Sequence, residues 1–198
     1  MTRPILYDYH RSSASYRVRI ALNLKQVDYE RVAVNLLEGE QKREAYRARN
    51  PQGFVPMLEM DGQRLTQSLA IIGWLDRVIP EPPLLPADSG ERAHVVALAL
   101  TIAADIHPVN NLRVLKRLAG MGIDEAGRDE WYRHWIHEGF DALEALAAPR
   151  AGRFLYGDSV TTADVCLVPQ MFNARRFNVD LAPYPTLVRC DAEACAIE

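Results

Sequence analysis

The 198-residue chain is short of cysteine, has no basic excess and contains no long apolar run. Its three cysteines, Cys166, Cys190 and Cys195, are odd in number and lack metal-ligand spacing. That speaks against a disulfide framework and fits reduced thiols in a cytoplasmic protein. A net charge of -3, with the basic residues dispersed, leaves no footprint for nucleic acid. The longest apolar stretch, Val95 to Ala104, is too short to span a bilayer and reads as a buried helix. No charged region followed by an apolar core stands at the amino terminus, so no secretory leader is expected. Repeats and low-complexity segments are missing too. His134 and His137 lack a matching cluster elsewhere, so no metal site is expected. An apolar content of 48% and a charged content of 25% suit a globular protein with a core large enough for one large domain or two small ones.

The organisation changes near residue 80. Before it, Pro4 to Tyr9 reads as a strand, Ser15 to Leu24 as a helix with apolar spacing at Val18, Ala21 and Leu22, and Tyr29 to Val34 as a second strand. A polar helix is expected over Glu40 to Arg49. Pro56 to Met60 and Gln63 to Leu65 form a hairpin whose Asp61-Gly62 pair suits a tight turn. Ser68 then opens a helix through Leu75. The order βαβαββα requires a right-handed crossover and places ligands beyond the carboxyl ends of the strands. Pro80, Pro82, Pro83 and Pro86 make a compact linker. Beyond it the chain reads helical over Gly90 to Ala119, Asp124 to Ala147, Thr161 to Phe177 and from Pro185 onward, running on to Glu198. Thr161-Thr162-Ala163-Asp164 fits a capping box. The expected fold class is therefore α/β plus all-α, with a βαβαββα domain over 1–80, a Pro-rich linker over 81–90 and an all-helical domain over 91–198.

One stretch carries chemistry. From Tyr9 to Leu22, three serines and three arginines crowd the point where the first strand hands over to a helix. A helix start exposes unpaired backbone N–H groups at the positive end of its dipole. Serine hydroxyls there cap the helix or donate to an anion held over it. A cap needs one hydroxyl, and Ser12, Ser13 and Ser15 supply three.

The chain resembles glutathione transferases of the zeta class, among them the maleylacetoacetate isomerases, from Ile5 to about Leu187. The segment Arg11-Ser12-Ser13-Ala14-Ser15-Tyr16-Arg17-Val18-Arg19 is similar to the class signature SSCSxRVRIAL. Asn50-Pro51-Gln52-Gly53-Phe54-Val55-Pro56, Gln67-Ser68-Leu69-Ala70-Ile71-Ile72 and Asp105-Ile106-His107-Pro108-Val109-Asn110-Asn111-Leu112-Arg113 support it. Asp164 to Gln170 and Val179 to Pro185 complete the set in the family order. The resemblance implies a thioredoxin-like first domain that binds glutathione and a helical second domain that binds substrate.

It also implies roles for particular residues. Ser12, Ser13 and Ser15 form the catalytic cluster, with Ser12 donating to the glutathione sulfur. A free thiol titrates near 8.5, so such a donor raises the nucleophile fraction at neutral pH. Ala14 departs from the class, which has cysteine there, and this removes any mechanism needing a protein thiol at the turn. The Val55-Pro56 bond is expected to be cis, with Val55 pairing to the cysteinyl part of glutathione like an added strand. Gln67 and Ser68 are expected at the γ-glutamyl carboxylate, Gln41 at the glycyl end, and His107 and Asn111, four residues apart on one helix face, beside them. Arg11, Arg113 and Arg176 are expected to converge on a dicarboxylate keto-acid, since guanidinium forks bind carboxylates bidentately. Arg175 is the expected bystander.

The implied activity is glutathione-dependent cis–trans isomerisation of maleylacetoacetate to fumarylacetoacetate, by reversible thiolate addition to the cis double bond, in a cytoplasmic homodimer of tyrosine and phenylalanine breakdown. Maleylpyruvate isomerisation and transfer to small α-haloacids are the rival activities. An interaction protein built on the same fold is the non-enzymatic rival, and the intact serine cluster argues against it.

Overall fold

The computed structural model describes residues 3–197. The chain falls into two compact units that divide between Leu84 and Leu85.

The first unit is built on a four-stranded sheet of order β2-β1-β3-β4. β1 (Ile5–Asp8) runs parallel to β2 (Glu30–Ala33) and antiparallel to β3 (Met57–Met60), which pairs with β4 (Gln63–Thr66). Parallel neighbours need a crossover, and α1 (Ser13–Leu24) supplies it. The β3–β4 pair closes through Asp61 and Gly62, both at positive φ, as a two-residue hairpin turn requires. Side chains alternate across the sheet. Tyr7 and Met57 join Val34, Tyr46 and Val55 in a core on one face. Leu6 and Leu58, paired in register and fully buried, face the other way. There α1 and α3 (Ser68–Val78) pack on each other, with Val18 and Leu22 of the one and Ile71 and Leu75 of the other buried. Asp8, also on that face, accepts from Arg19 of α1 at 2.7 and 2.9 Å and from Arg31 of β2 at 2.6 and 3.0 Å, tying three elements together. The arrangement is thioredoxin-like, as expected. The polar helix expected over Glu40 to Arg49 is a correction: a 3₁₀ turn, Glu40–Lys42, breaks before the single turn of α2 (Glu44–Arg47). Arg43, in an extended conformation, separates the two.

The second unit is helical. It comprises α4 (Ser89–Leu100), α5 (Leu112–Gly120), α6 (Glu125–Ala147), α7 (Thr162–Arg176) and α8 (Pro185–Cys195). Thr161 and Asp164 form the expected capping box at α7. Asp164 is also held by the Leu155 N–H at 2.8 Å, and its burial pushes its carboxyl above the ordinary range. The single helix expected over Gly90 to Ala119 is interrupted. α4 widens into a π segment, Thr101–Ile106, the chain turns through 107–110, and α5 starts afresh with Asn111 as its N-cap. Pro108 offers no N–H to continue the ladder, and asparagine favours the cap. The widened turn fits against α6 because position 139 is glycine, where a Cβ would run into the Ile106 side chain. Among the described residues no helix is long and apolar enough to cross a membrane. α8 ends at Cys195, and Glu198 lies outside the described residues.

Candidate functional site

The turn between β1 and α1 builds the first wall. Ser12 is the N-cap of α1, and its Oγ accepts the Ser15 N–H at 3.2 Å. As an acceptor in that bond, the hydroxyl keeps its own proton to donate, so capping and anion binding are compatible tasks for one serine. Arg11 is exposed beside it and Ser12 is half-buried. Ser13 is 8% exposed, whereas Ser15 is wholly enclosed and its Oγ has no hydrogen-bond partner. The three hydroxyls are therefore not equivalent, and Ser12 is the most open of them. A groove of about 340 Å³ adjoins this turn at the carboxyl ends of β1 and β2, lined by Tyr9, His10, Arg31 and Asn35 among others.

The second wall is the loop before β3, and it is braced from within. Asn50, 1% exposed, donates from Nδ2 to the Phe54 carbonyl at 2.8 Å, and the Tyr46 hydroxyl donates to the same carbonyl at 2.6 Å. Burial pushes the Tyr46 phenol up to about 12, so it remains a donor at neutral pH. Gly53 has φ +63°, and a Cβ there would meet the Gln41 carbonyl at 2.7 Å. That close approach brings Gln41 to the loop, with its Oε1 buried and without a hydrogen-bond partner. The loop ends at Val55-Pro56, whose peptide bond is cis as expected.

Gln67 and Ser68 form the third wall. Gln67 holds φ +67°, a left-handed position that glutamine rarely adopts, and its Nε2 donates to Gln52 Oε1 at 2.9 Å. Ser68 is the first residue of α3, 7% exposed, with its Oγ 3.4 Å from Arg17 Nη1. Arg17 is a feature that sequence reasoning passed over. It occupies the stripe of α1 that also carries Val18, Ala21 and Leu22, a position where helical periodicity calls for an apolar residue. A cation on that stripe was the available signal.

The remaining candidates lie in the helical unit. His107 is half-buried in the turn after the π segment, its backbone N–H bonded to the Ile102 carbonyl at 2.9 Å. Asn111 does not share a helix face with it: its Oδ1 caps α5 by accepting the Arg113 N–H at 3.1 Å. The neighbouring Asn110 is the buried one, donating to the Tyr132 carbonyl at 3.2 Å. Tyr132 in turn stacks on Phe177 with centroids 3.7 Å apart, and the Arg176 guanidinium lies 4.7 Å from the Phe177 ring centre. The 110–113 turn and the end of α7 are thus linked through Tyr132. Burial raises the Tyr132 phenol to about 12, against the lowering pull of the Arg176 charge. Arg175 instead pairs with Asp191 at 2.6 Å and joins α7 to α8. His137 contacts the Tyr184 hydroxyl at 2.8 Å, and His134 packs edge-on against Trp135.

Comparison with known proteins gives four concordant findings. The sequence profile for the glutathione S-transferase N-terminal domain matches residues 6–83. The maleylacetoacetate isomerase of Rhizobium meliloti is 52% identical over 196 residues, 98% of this chain and 92% of the relative. The holo structure of a maleylpyruvate isomerase, a bacterial glutathione S-transferase of the zeta class, superposes with a TM-score of 0.95 at 49% identity, covering 98% of this chain and 93% of that one. A maleylacetoacetate isomerase structure from Anaeromyxobacter dehalogenans with glutathione in its active site has a TM-score of 0.89 at 46% identity, covering 98% and 91%.

Proposed function

Since the chain belongs to the maleylacetoacetate and maleylpyruvate isomerases of the zeta-class glutathione transferases, we propose that it is a glutathione-dependent cis–trans isomerase of a maleyl dicarboxylate. The observation that carries this reading is the turn at α1: a capping serine with a proton left to donate, two residues from an alanine, Ala14, where a protein nucleophile would stand.

The residues present fit glutathione. Gln41 Oε1 is a buried acceptor without a partner, suited to an N–H of the tripeptide, and Ser68 opens a helix whose N-terminus favours a carboxylate. When bound, glutathione supplies the sulfur nucleophile whose reversible addition removes the π bond and permits rotation. Ser12 donates its hydroxyl proton toward that sulfur, and the α1 N-terminus adds its dipole, so the thiolate is favoured over the thiol. Guanidinium groups suit the substrate carboxylates and the charge that builds between them, and the candidates are Arg11 beside Ser12 in the first unit and Arg113 and Arg176 in the helical unit. The braced loop ending at Val55 and Pro56 aligns the backbone of the tripeptide. Nothing in these tasks requires the chain to give up or regain a proton over the whole cycle, as an isomerisation demands.

In this reading the first unit binds glutathione, the helical unit carries substrate arginines, and the protein works as a cytoplasmic homodimer. Maleylacetoacetate is the substrate proposed, placing the enzyme in tyrosine and phenylalanine breakdown. Rates on maleylacetoacetate and maleylpyruvate, each with and without glutathione, test the proposal. Turnover of maleylacetoacetate only when glutathione is present is expected; faster turnover of maleylpyruvate would reassign the substrate, and no turnover of either would overturn the activity. Sedimentation as a monomer at micromolar concentration would contradict the dimer.

A further inference from the structure

Three cations on α1 and its C-cap are drawn into the protein, and two have evident partners. Arg19 has the buried carboxylate of Asp8. Lys25 is surrounded by Asp76 Oδ1 at 3.0 Å and the carbonyls of Ile79 and Pro82 at 2.7 and 2.9 Å. Arg17 differs. It is 2% exposed, its Nε and Nη2 meet no hydrogen-bond partner, and no carboxylate pairs with it among the described residues. A guanidinium does not shed its charge at any ordinary pH, so it cannot escape burial by becoming neutral. A buried, uncompensated charge is strongly unfavourable and calls for an anion.

The polar atom that the Arg17 guanidinium reaches among the described residues shows where that anion belongs. Nη1 points to Ser68 Oγ, the hydroxyl at the start of the 11-residue α3. Because Ser68 Oγ accepts from Arg17, its own proton is turned away from Arg17. The hydroxyl, the positive end of the helix dipole and the buried cation behind them then act in one direction. We propose that Arg17 is a positioning residue for a ligand carboxylate at the N-terminus of α3, acting through Ser68: it fixes the hydroxyl as a donor and supplies the counter-charge from beneath. The proposal rests on the functional reading above, in which this carboxylate is the one at the γ-glutamyl end of glutathione.

Calorimetric titration of Arg17→Met, Arg17→Lys and the wild type tests it, using glutathione and an analogue whose γ-glutamyl group is replaced by 4-aminobutyryl and so lacks only that carboxylate. Arg17→Met is expected to weaken glutathione by about tenfold or more while binding the analogue within about twofold of wild type. Arg17→Lys, which keeps the charge and loses the fork, should fall between, and it serves alone if the methionine variant does not fold. Adding Ser68→Ala to either variant should cost less than it costs the wild type, since the two residues act as one unit. A merely structural arginine would weaken both ligands equally, and that result, or unchanged glutathione affinity, overturns the proposal alone. A wild-type protein that binds no glutathione overturns the functional reading and takes this proposal with it.

Discussion

With its Oγ already accepting the Ser15 N–H, Ser12 has one proton to give and an open side on which to give it. Ser12→Ala removes a helix cap and, on the proposed mechanism, the donor to the sulfur as well. Turnover should fall by roughly tenfold to a hundredfold, the range for a hydrogen bond to a charged group. The acid limb of the pH–rate profile should also move up toward the free thiol value of about 8.5, because the thiolate is no longer favoured. Ser13→Ala should do less; a Ser12→Ala enzyme with wild-type turnover and profile would remove Ser12 from the mechanism. Arg176 calls for a different readout. Its guanidinium lies against the Phe177 ring, and on the proposed mechanism Arg176→Ala should raise the Michaelis constant for the dicarboxylate by about tenfold or more and leave glutathione affinity unchanged. An equal loss of glutathione affinity would move Arg176 to the glutathione site.

The elements carrying the site depend on a few backbone positions. Gly53 is the sharpest, with φ +63° and the Gln41 carbonyl in contact distance of any Cβ. Gly53→Ala should cost about 1 to 2 kcal/mol from the left-handed conformation alone, measured by denaturant unfolding, and should weaken glutathione by displacing Gln41. Unaltered affinity would show that the loop yields without moving the site. Which elements were legible in the sequence follows from what each depends on. The hairpin at Asp61-Gly62 and the capping box at Thr161 are local, and both stand as expected. The break between Thr101 and Asn111 is half legible: Pro108 signals a bend or an opened turn, but the residues around it keep an apolar helical rhythm that hides the full interruption. The interruption follows from Pro108 and from α6, whose Gly139 accommodates Ile106. Asn50, Asn110 and Tyr132 were not singled out because their partners lie elsewhere along the chain or on the backbone, where spacing carries no signal. Arg17 was legible in principle, as a cation on an apolar stripe, yet its enclosure and its lack of a carboxylate partner are what separate it from Arg19 two residues on.

At the scale of the molecule, each unit has its own core, and the first is closed by a buried cation. Lys25, with its side chain fully enclosed, gathers Asp76 and the carbonyls of Ile79 and Pro82, while Asp76 also accepts the Leu84 N–H at 2.7 Å. The chain leaving α3 is thereby pinned back onto α1. Lys25→Met would leave a nearly buried carboxylate and two carbonyls without their shared donor, a loss of about 3 kcal/mol. For a protein of this size that corresponds to a melting point lower by roughly 6 to 12 °C in calorimetry. A shift under a third of that would mean water replaces the ammonium. The cysteines belong to the same scale. Cys166 and Cys190 are buried, burial lifting the Cys190 thiol to about 11, and Cys195 alone is exposed, at the end of α8. Position 14, at the mouth of the proposed chemistry, is alanine. An electrophile entering that turn finds no protein sulfur to capture, so the enzyme should tolerate iodoacetamide with activity intact and label at Cys195 only, read by mass spectrometry. On the proposed mechanism the alanine leaves this turn without a thiol to oxidise and ties the chemistry to the supply of reduced glutathione around it.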